Sequence, residues 1–138
     1  MPKRTVQSLG ELGETAAVDY LRRKTYQVIE RNVRIHRASV NGEIDIVAVK
    51  NRTIVFVEVK TRRSERKGEP WEAVDAAKQE RIIGVANAYL AQENLKDQDC
   101  RYDIVSVIWG NENRPAEIRH LENAFDEREF HFGFQYDP

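Results

Sequence analysis

Cysteine is almost missing from this chain. Its single Cys100 has no partner for an internal disulfide, and no second cysteine opens a zinc motif with His36, His120 or His131, so a disulfide scaffold and a zinc finger are both excluded. Cys100 is read as a structural thiol, and the three histidines, which lack metal-ligand spacing, as ordinary polar residues. Long apolar runs are also lacking. Nothing approaches the ~18–20 residues that a membrane-spanning helix needs, and the basic opening MPKRTVQSLGELGE has no apolar stretch behind it. Neither a signal peptide nor a lipid anchor is indicated, and the cytoplasm is the expected compartment. No Walker loop and no G-x-G-x-x-G occur, which leaves nucleotide-driven and dinucleotide chemistry without support. Repeats, low-complexity tracts and long linkers are absent too.

What is present suits one folded domain. The chain has 138 residues, 41% hydrophobic and 33% charged, enough to enclose a core. The net charge of −1 conceals an uneven distribution. Residues 1–70 hold 15 Lys/Arg against 9 Asp/Glu, a net +6, and residues 71–138 hold 7 against 14, a net −7. That asymmetry predicts one basic face able to meet a polyanion and one acidic face.

Ser8 and Glu11 have the capping-box spacing, and Leu9, Leu12, Gly13, Ala16, Ala17 and Tyr20 recur on one helical face, which predicts a helix over 8–24. Three β-rich segments follow, 26–35, 43–49 and 53–61, the last two separated by a turn at Lys50, Asn51 and Arg52; together they read as an antiparallel meander. In the third, Val55, Val57 and Val59 point to one side and Ile54, Phe56, Glu58 and Lys60 to the other. A strand apolar on both faces is central in a sheet covered on both sides, so the fold class is α/β. Arg62 to Pro70 reads as a loop, 71–93 as a helix with Ile82, Val85, Ala86 and Tyr89 as its stripe, 101–109 as a buried strand and 117–121 as a short edge strand. Residues 124–138 form an aromatic tail in which Phe130, Phe132, Phe134 and Tyr136 alternate.

Two carboxylates break this pattern. Asp45, in Gly42-Glu43-Ile44-Asp45, and Glu58, in Glu58-Val59-Lys60, interrupt buried strands, and a buried ionised carboxylate is costly unless a cation or hydrogen-bond donors compensate. They lie one hairpin apart. On a shared face they form an oxygen site for Mg²⁺ or Mn²⁺, with Lys60 beside it to orient or deprotonate a water and to offset charge on a phosphoryl oxygen. The bland alternative is an ion pair between Glu58 and Lys60 and a turn-capping Asp45. Arg62, Arg63, Arg66 and Lys67 crowd the segment behind the site and suit phosphate contacts.

At these residues the sequence resembles the PD-(D/E)XK nuclease superfamily, and more closely the small YraN-type proteins, which are likened to Holliday junction resolvases. The resemblance spans about residues 8–125. It rests on Gly10-Glu11-Leu12-Gly13-Glu14-Thr15-Ala16-Ala17, Glu30-Arg31-Asn32, Gly42-Glu43-Ile44-Asp45-Ile46, Val55-Phe56-Val57-Glu58-Val59-Lys60-Thr61-Arg62, Lys78 with Arg81-Ile82, and Arg101-Tyr102-Asp103. It implies a restriction endonuclease-like core, a mixed sheet flanked by helices in the order α-β-β-β-α-β. It also implies Asp45 and Glu58 as metal ligands, Lys60 as the catalytic lysine, Glu14 as a first-helix acid supplementing the metal site, and Lys78 as a further phosphate contact. The expected protein is then an Mg²⁺- or Mn²⁺-dependent endonuclease acting on DNA, at branched or single-stranded structures among others, with no membrane partner and homodimer formation left open. The rival readings are a non-catalytic nucleic-acid-binding module of the same fold and an assembly protein that recruits a partner through its acidic half.

Overall fold

The computed structural model describes residues 7–63, 74–110 and 114–126. Helix α1 (Leu9–Arg23) starts where the sequence places it: Ser8 Oγ accepts from Glu11 N–H at 3.1 Å and returns a hydrogen bond to the Glu11 carboxylate at 3.3 Å. It ends in a Schellman arrangement, with Thr25 in the left-handed region (φ 68°) and Tyr26 N–H donating to Leu21 C=O at 2.9 Å. Lys50 donates to Thr25 Oγ1 and, at 2.7 Å, to Lys24 C=O, so the ammonium secures carbonyl and hydroxyl oxygens at a cap where glycine is more usual.

Three strands follow, β1 (Gln27–His36), β2 (Asn41–Lys50) and β3 (Thr53–Arg63), antiparallel in succession. Asn51 and Arg52 both have positive φ, 48° and 66°, the two-residue turn whose twist suits a tight hairpin. Helix α2 (Ala76–Gln92) carries the chain across to β4 (Cys100–Trp109), which runs parallel to β3 along ten residue pairs, and β5 (Pro115–Phe125) returns antiparallel. The sheet order is β1-β2-β3-β4-β5.

A helix covers each face. Ile54, Phe56, Tyr102 and Phe125 pack under α2 with Ile82, Val85, Ala86 and Tyr89, whereas Ile46, Ala48, Val55, Val57, Val105 and Val107 pack under α1 with Ala17, Val18 and Leu21. The doubly apolar β3 is therefore central, as its alternation requires. At Gly13 a Cβ would overlap Thr61 Oγ1, so only glycine lets α1 lie this close to the end of β3.

Several expectations need correction. The basic segment expected as a loop from Arg62 begins inside β3, because Arg62 and Arg63 still pair with Ile108 and Trp109. Helix α2 starts at Ala76, capped by Asp75, whose side chain accepts from Lys78 N–H at 2.9 Å, rather than at Trp71, which lies outside the described residues. The short edge strand at 117–121 is the eleven-residue β5, so Ala124 and Phe125 belong to the sheet and not to an aromatic tail; Phe130, Phe132, Phe134 and Tyr136 lie outside the described residues. The order α-β-β-β-α-β that the resemblance implies is kept, and β5, read from the sequence as the edge strand, follows it as the seventh element.

Candidate active site at the fork between β2 and β3

The site is built where two strands part. Strands β2 and β3 pair only from Lys50↔Thr53 to Ile46↔Val57; past that point β2 stays with β1 as far as Asn41, and β3 stays with β4 as far as Arg63. Parting strands leave backbone groups without ladder partners. Asp45 meets that need, since its Oδ2 accepts from Val59 N–H at 2.8 Å. Side-chain alternation slips here as well: Ile44 packs on the α2 side and Ile46 on the α1 side, although they are two residues apart.

The first turns of α2 cover the fork. A cleft of about 240 Å³ is lined by Gly42, Glu43 and Asp45 from β2, Glu58 from β3, and Lys78, Arg81 and Ile82 from α2. The hairpin does bring Asp45 to Glu58: both line the cleft, within reach of a hydrogen bond between the two carboxyl groups when one is protonated. Glu58 is only 8% exposed. Burial, then the Asp45 charge and that hydrogen bond, push its pKa up to about 8 against the opposing pull of Lys78 and Lys60. Lys78 Nζ lies 3.4 Å from Glu58 Oε1.

The two lysines are shifted in opposite directions. Burial, and the hydrogen bond and charge of Lys78, lower the pKa of Lys60 despite Glu58 and Asp45. Burial also lowers that of Lys78, but the hydrogen bond to Lys60 and the charges of Glu58 and Asp45 outweigh it and leave Lys78 above the usual value. Lys60 thus gives up its proton more readily than a solvated lysine, and Lys78 less readily.

Glu14 approaches from α1 on the flank of Asp45. Burial first, and then the charge of Asp45, raise its pKa, partly offset by Arg31. It does not close a three-donor set: among the described residues no three or more His, Cys, Asp or Glu side chains converge to hold a metal. Its carboxylate lies 4.0 Å from Arg31 Nη2, and the Asn32 amide, oriented to satisfy its neighbours, donates to Glu14 Oε1 at 3.0 Å and to Glu43 Oε1 at 3.1 Å. Asn32 stands between Arg31 and Val33, the partners of Ile46 and Ile44, with φ 53°. A left-handed residue inside a strand marks stored strain, and here the neighbour is the candidate site.

Sequence reasoning overlooked Asn32, Glu43 and Arg81 as site residues. All three lay inside the motifs quoted above, but no local pattern showed that they converge. The charge asymmetry also maps differently from expectation, because the acidic half of the chain supplies Lys78 and Arg81 to the cleft. Of the basic segment, Arg62 and Arg63 continue β3 beyond Lys60, and Arg66 and Lys67 lie outside the described residues.

A mixed five-stranded sheet with a helix on each face, and acids at a strand fork beside two lysines, defines a restriction endonuclease-like core of the PD-(D/E)XK class. The sequence profile of "Uncharacterised protein family UPF0102" matches residues 13–107, and the chain belongs to that family, the YraN-type proteins. Several similar chains carry the name UPF0102 protein. One from Alkaliphilus metalliredigens is 47% identical over 119 residues, covering 86% of this chain and 98% of its own. One from Symbiobacterium thermophilum is 45% identical over 117 residues (85% and 95%), and one from Caldanaerobacter subterraneus is 40% identical over 126 residues (91% and 100%). No helix among the described residues is long and apolar enough to cross a membrane.

Proposed function

We propose that this protein is a divalent-metal-dependent endonuclease that hydrolyses DNA phosphodiester bonds, with Asp45 and Glu58 holding Mg²⁺ or Mn²⁺ and Lys60 as the catalytic lysine. The observation that carries this reading is the pressing of Asp45 and a buried Glu58 into mutual contact, with the Glu58 pKa pushed up to about 8. Without a cation, this arrangement keeps a proton at neutral pH; a divalent ion relieves the same repulsion. The donor set suits Mg²⁺, which binds through one or two carboxylates and keeps several waters. When bound, such an ion supplies Lewis acidity to the phosphoryl group and a lowered water pKa.

The protein's own residues divide the remaining work. Lys60, with its lowered pKa, accepts a proton from the attacking water or orients it. Lys78, kept cationic, faces charge developing on the phosphoryl oxygens. Glu14, tied to Asn32, would add negative charge on the flank of Asp45 and so supplement the two acids there. Arg62, Arg63, Arg66 and Lys67 contact phosphates on the strand leaving the site.

Purified protein incubated with plasmid, single-stranded and four-way-junction DNA tests the proposal. Cleavage is expected with Mg²⁺ or Mn²⁺, and Asp45→Ala and Lys60→Ala each abolish it. Cleavage undiminished in both variants, or DNA binding by wild type with no cleavage under any metal, sinks the enzymatic reading; the latter result favours the non-catalytic module.

A further inference from the structure

Resting on the nuclease reading above, we infer that Arg81 and the cleft beyond it form a phosphate-binding subsite that seats the substrate strand away from the scissile bond. A second cleft, about 450 Å³, is lined by Ser39, Val40 and Asn41 at the β1–β2 hairpin tip and by Ala77, Glu80, Arg81 and Gly84 on α2. Arg81 lines both this cleft and the carboxylate cleft. A strand engaged at Asp45 and Glu58 therefore passes Arg81 on its way along α2.

The charge of Arg81 is available to a ligand. Nearby carboxylates already have cations or donors of their own: Glu58 has Lys78 at 3.4 Å, and Glu43 has Arg34 Nε at 3.2 Å together with the Asn32 amide. Arg81 is exposed and forms no ion pair with any described residue. It lies one turn beyond Lys78, so both cations share one helix face. A guanidinium in that position presents the planar fork that suits a phosphate better than an ammonium does.

The cleft owes its space to small residues. Ala77 and Gly84, seven residues apart on the same side of α2, flank Arg81, and a Cβ at Gly84 would reach only ordinary contact with Val40 Cγ1, at 4.0 Å. Opposite them, Ser39 and Asn41 offer neutral polar groups, with Asn41 Oδ1 fixed by His36 Nδ1 at 2.6 Å. Among the described residues Glu80 is the one carboxylate lining this cleft, and it must work against a phosphate there. That opposition gives the subsite a sign that can be tested.

The experiment titrates the full chain and its Arg81→Ala, Arg81→Lys and Glu80→Gln variants against a fluorescently labelled DNA oligonucleotide over a range of salt, with Ca²⁺ replacing Mg²⁺ to slow cleavage. Arg81→Ala should weaken binding about tenfold and reduce the salt slope by about one. Arg81→Lys should keep the slope but only part of the affinity, and Glu80→Gln should bind more tightly than wild type. With Mg²⁺ restored, Arg81→Ala should raise KM and leave kcat near wild type. An affinity and slope for Arg81→Ala matching wild type overturn the subsite while leaving the nuclease reading intact. A fall in kcat at unchanged KM also overturns it, since Arg81 would then act at the reaction centre. Wild type that binds without cleaving removes the nuclease reading and with it the subsite's role toward a scissile bond, and wild type that binds no DNA overturns both.

Discussion

Two buried carboxylates in neighbouring central strands, Asp103 in β4 and Glu58 in β3, have opposite fates. Asp103 is fully buried, at 0% exposed, yet its oxygens are supplied with donors: Arg101 Nε and Nη2 at 3.0 and 3.1 Å, His120 Nε2 at 2.7 Å and Asn123 N–H at 2.9 Å. The network extends outward, with the Tyr20 hydroxyl 3.1 Å from His120 Nδ1 and Arg101 Nη2 donating to the Tyr26 hydroxyl at 2.7 Å. Burial pushes the Asp103 pKa up, but the hydrogen bonds from His120, Arg101 and Asn123 outweigh it and hold the carboxyl below its usual value. Glu58, 8% exposed, has Lys78 3.4 Å away but also meets another carboxyl, and its pKa rises to about 8. One cluster is electrostatically complete and ties β4, β5 and α1 together; in the other, burial and a second carboxyl outweigh the lysines beside Glu58. Burial alone does not separate structural from functional acids, whereas the balance of partners does.

The most damaging way to break this contrast is Asp103→Ala. It leaves Arg101 and His120 facing an empty, buried site, and breaking a buried charged network of this kind costs about 3–5 kcal/mol. Denaturant unfolding should show that loss, while the folded fraction keeps its response to metal. If the variant unfolds like wild type, Asp103 is not the hub proposed for the β4–β5 side.

Glu58→Gln should move stability the other way, and with pH. Below about pH 4.5 Glu58 is protonated in both folded and unfolded chains and carries no penalty. Between that value and about 8 the folded chain retains a proton that the unfolded chain releases, so stability falls as pH rises, by an amount on the order of a few kcal/mol once pH passes 8. Without metal, the variant should therefore gain on wild type progressively from pH 5 to 8.5 in thermal melts. Parallel pH profiles would mean that Glu58 is not held protonated. The smallest effect expected is from Tyr20→Phe, which removes one link to His120 and should cost about 1 kcal/mol by denaturant titration, without altering cleavage.

The contrast also explains what the sequence could and could not reveal. Period-two alternation exposed β3 as central, and the capping box located α1 to within a residue at each end. Asp45 and Glu58 stood out as charges in apolar strands, one hairpin apart. Asp103 breaks its strand in the same way, but its partners lie elsewhere: His120 and Asn123 are on β5, Tyr20 is on α1, and only tertiary pairing brings them in. For that reason His120 reads from sequence as an ordinary polar residue. Strand β5 was undercalled because Arg119, His120, Glu122 and Asn123 make its sequence polar, their hydrogen bonds replacing apolar burial as the reason for a strand. Asn32, Glu43 and Arg81 converge only because β2 leaves β3 at Asp45, a fork that hydropathy does not encode.

The central claim, that Asp45 and Glu58 form an incomplete pair awaiting a divalent cation, is tested most directly by thermal melts of wild type and Asp45→Asn at pH 7 with increasing Mn²⁺. A ligand bound only by the folded chain adds RT ln(1 + [L]/Kd), about 2.7 kcal/mol at a hundredfold excess over Kd. Wild type should therefore gain several degrees, while Asp45→Asn should start higher, with the carboxyl repulsion relieved, and respond little. Equal metal-induced shifts in the two proteins would contradict the account.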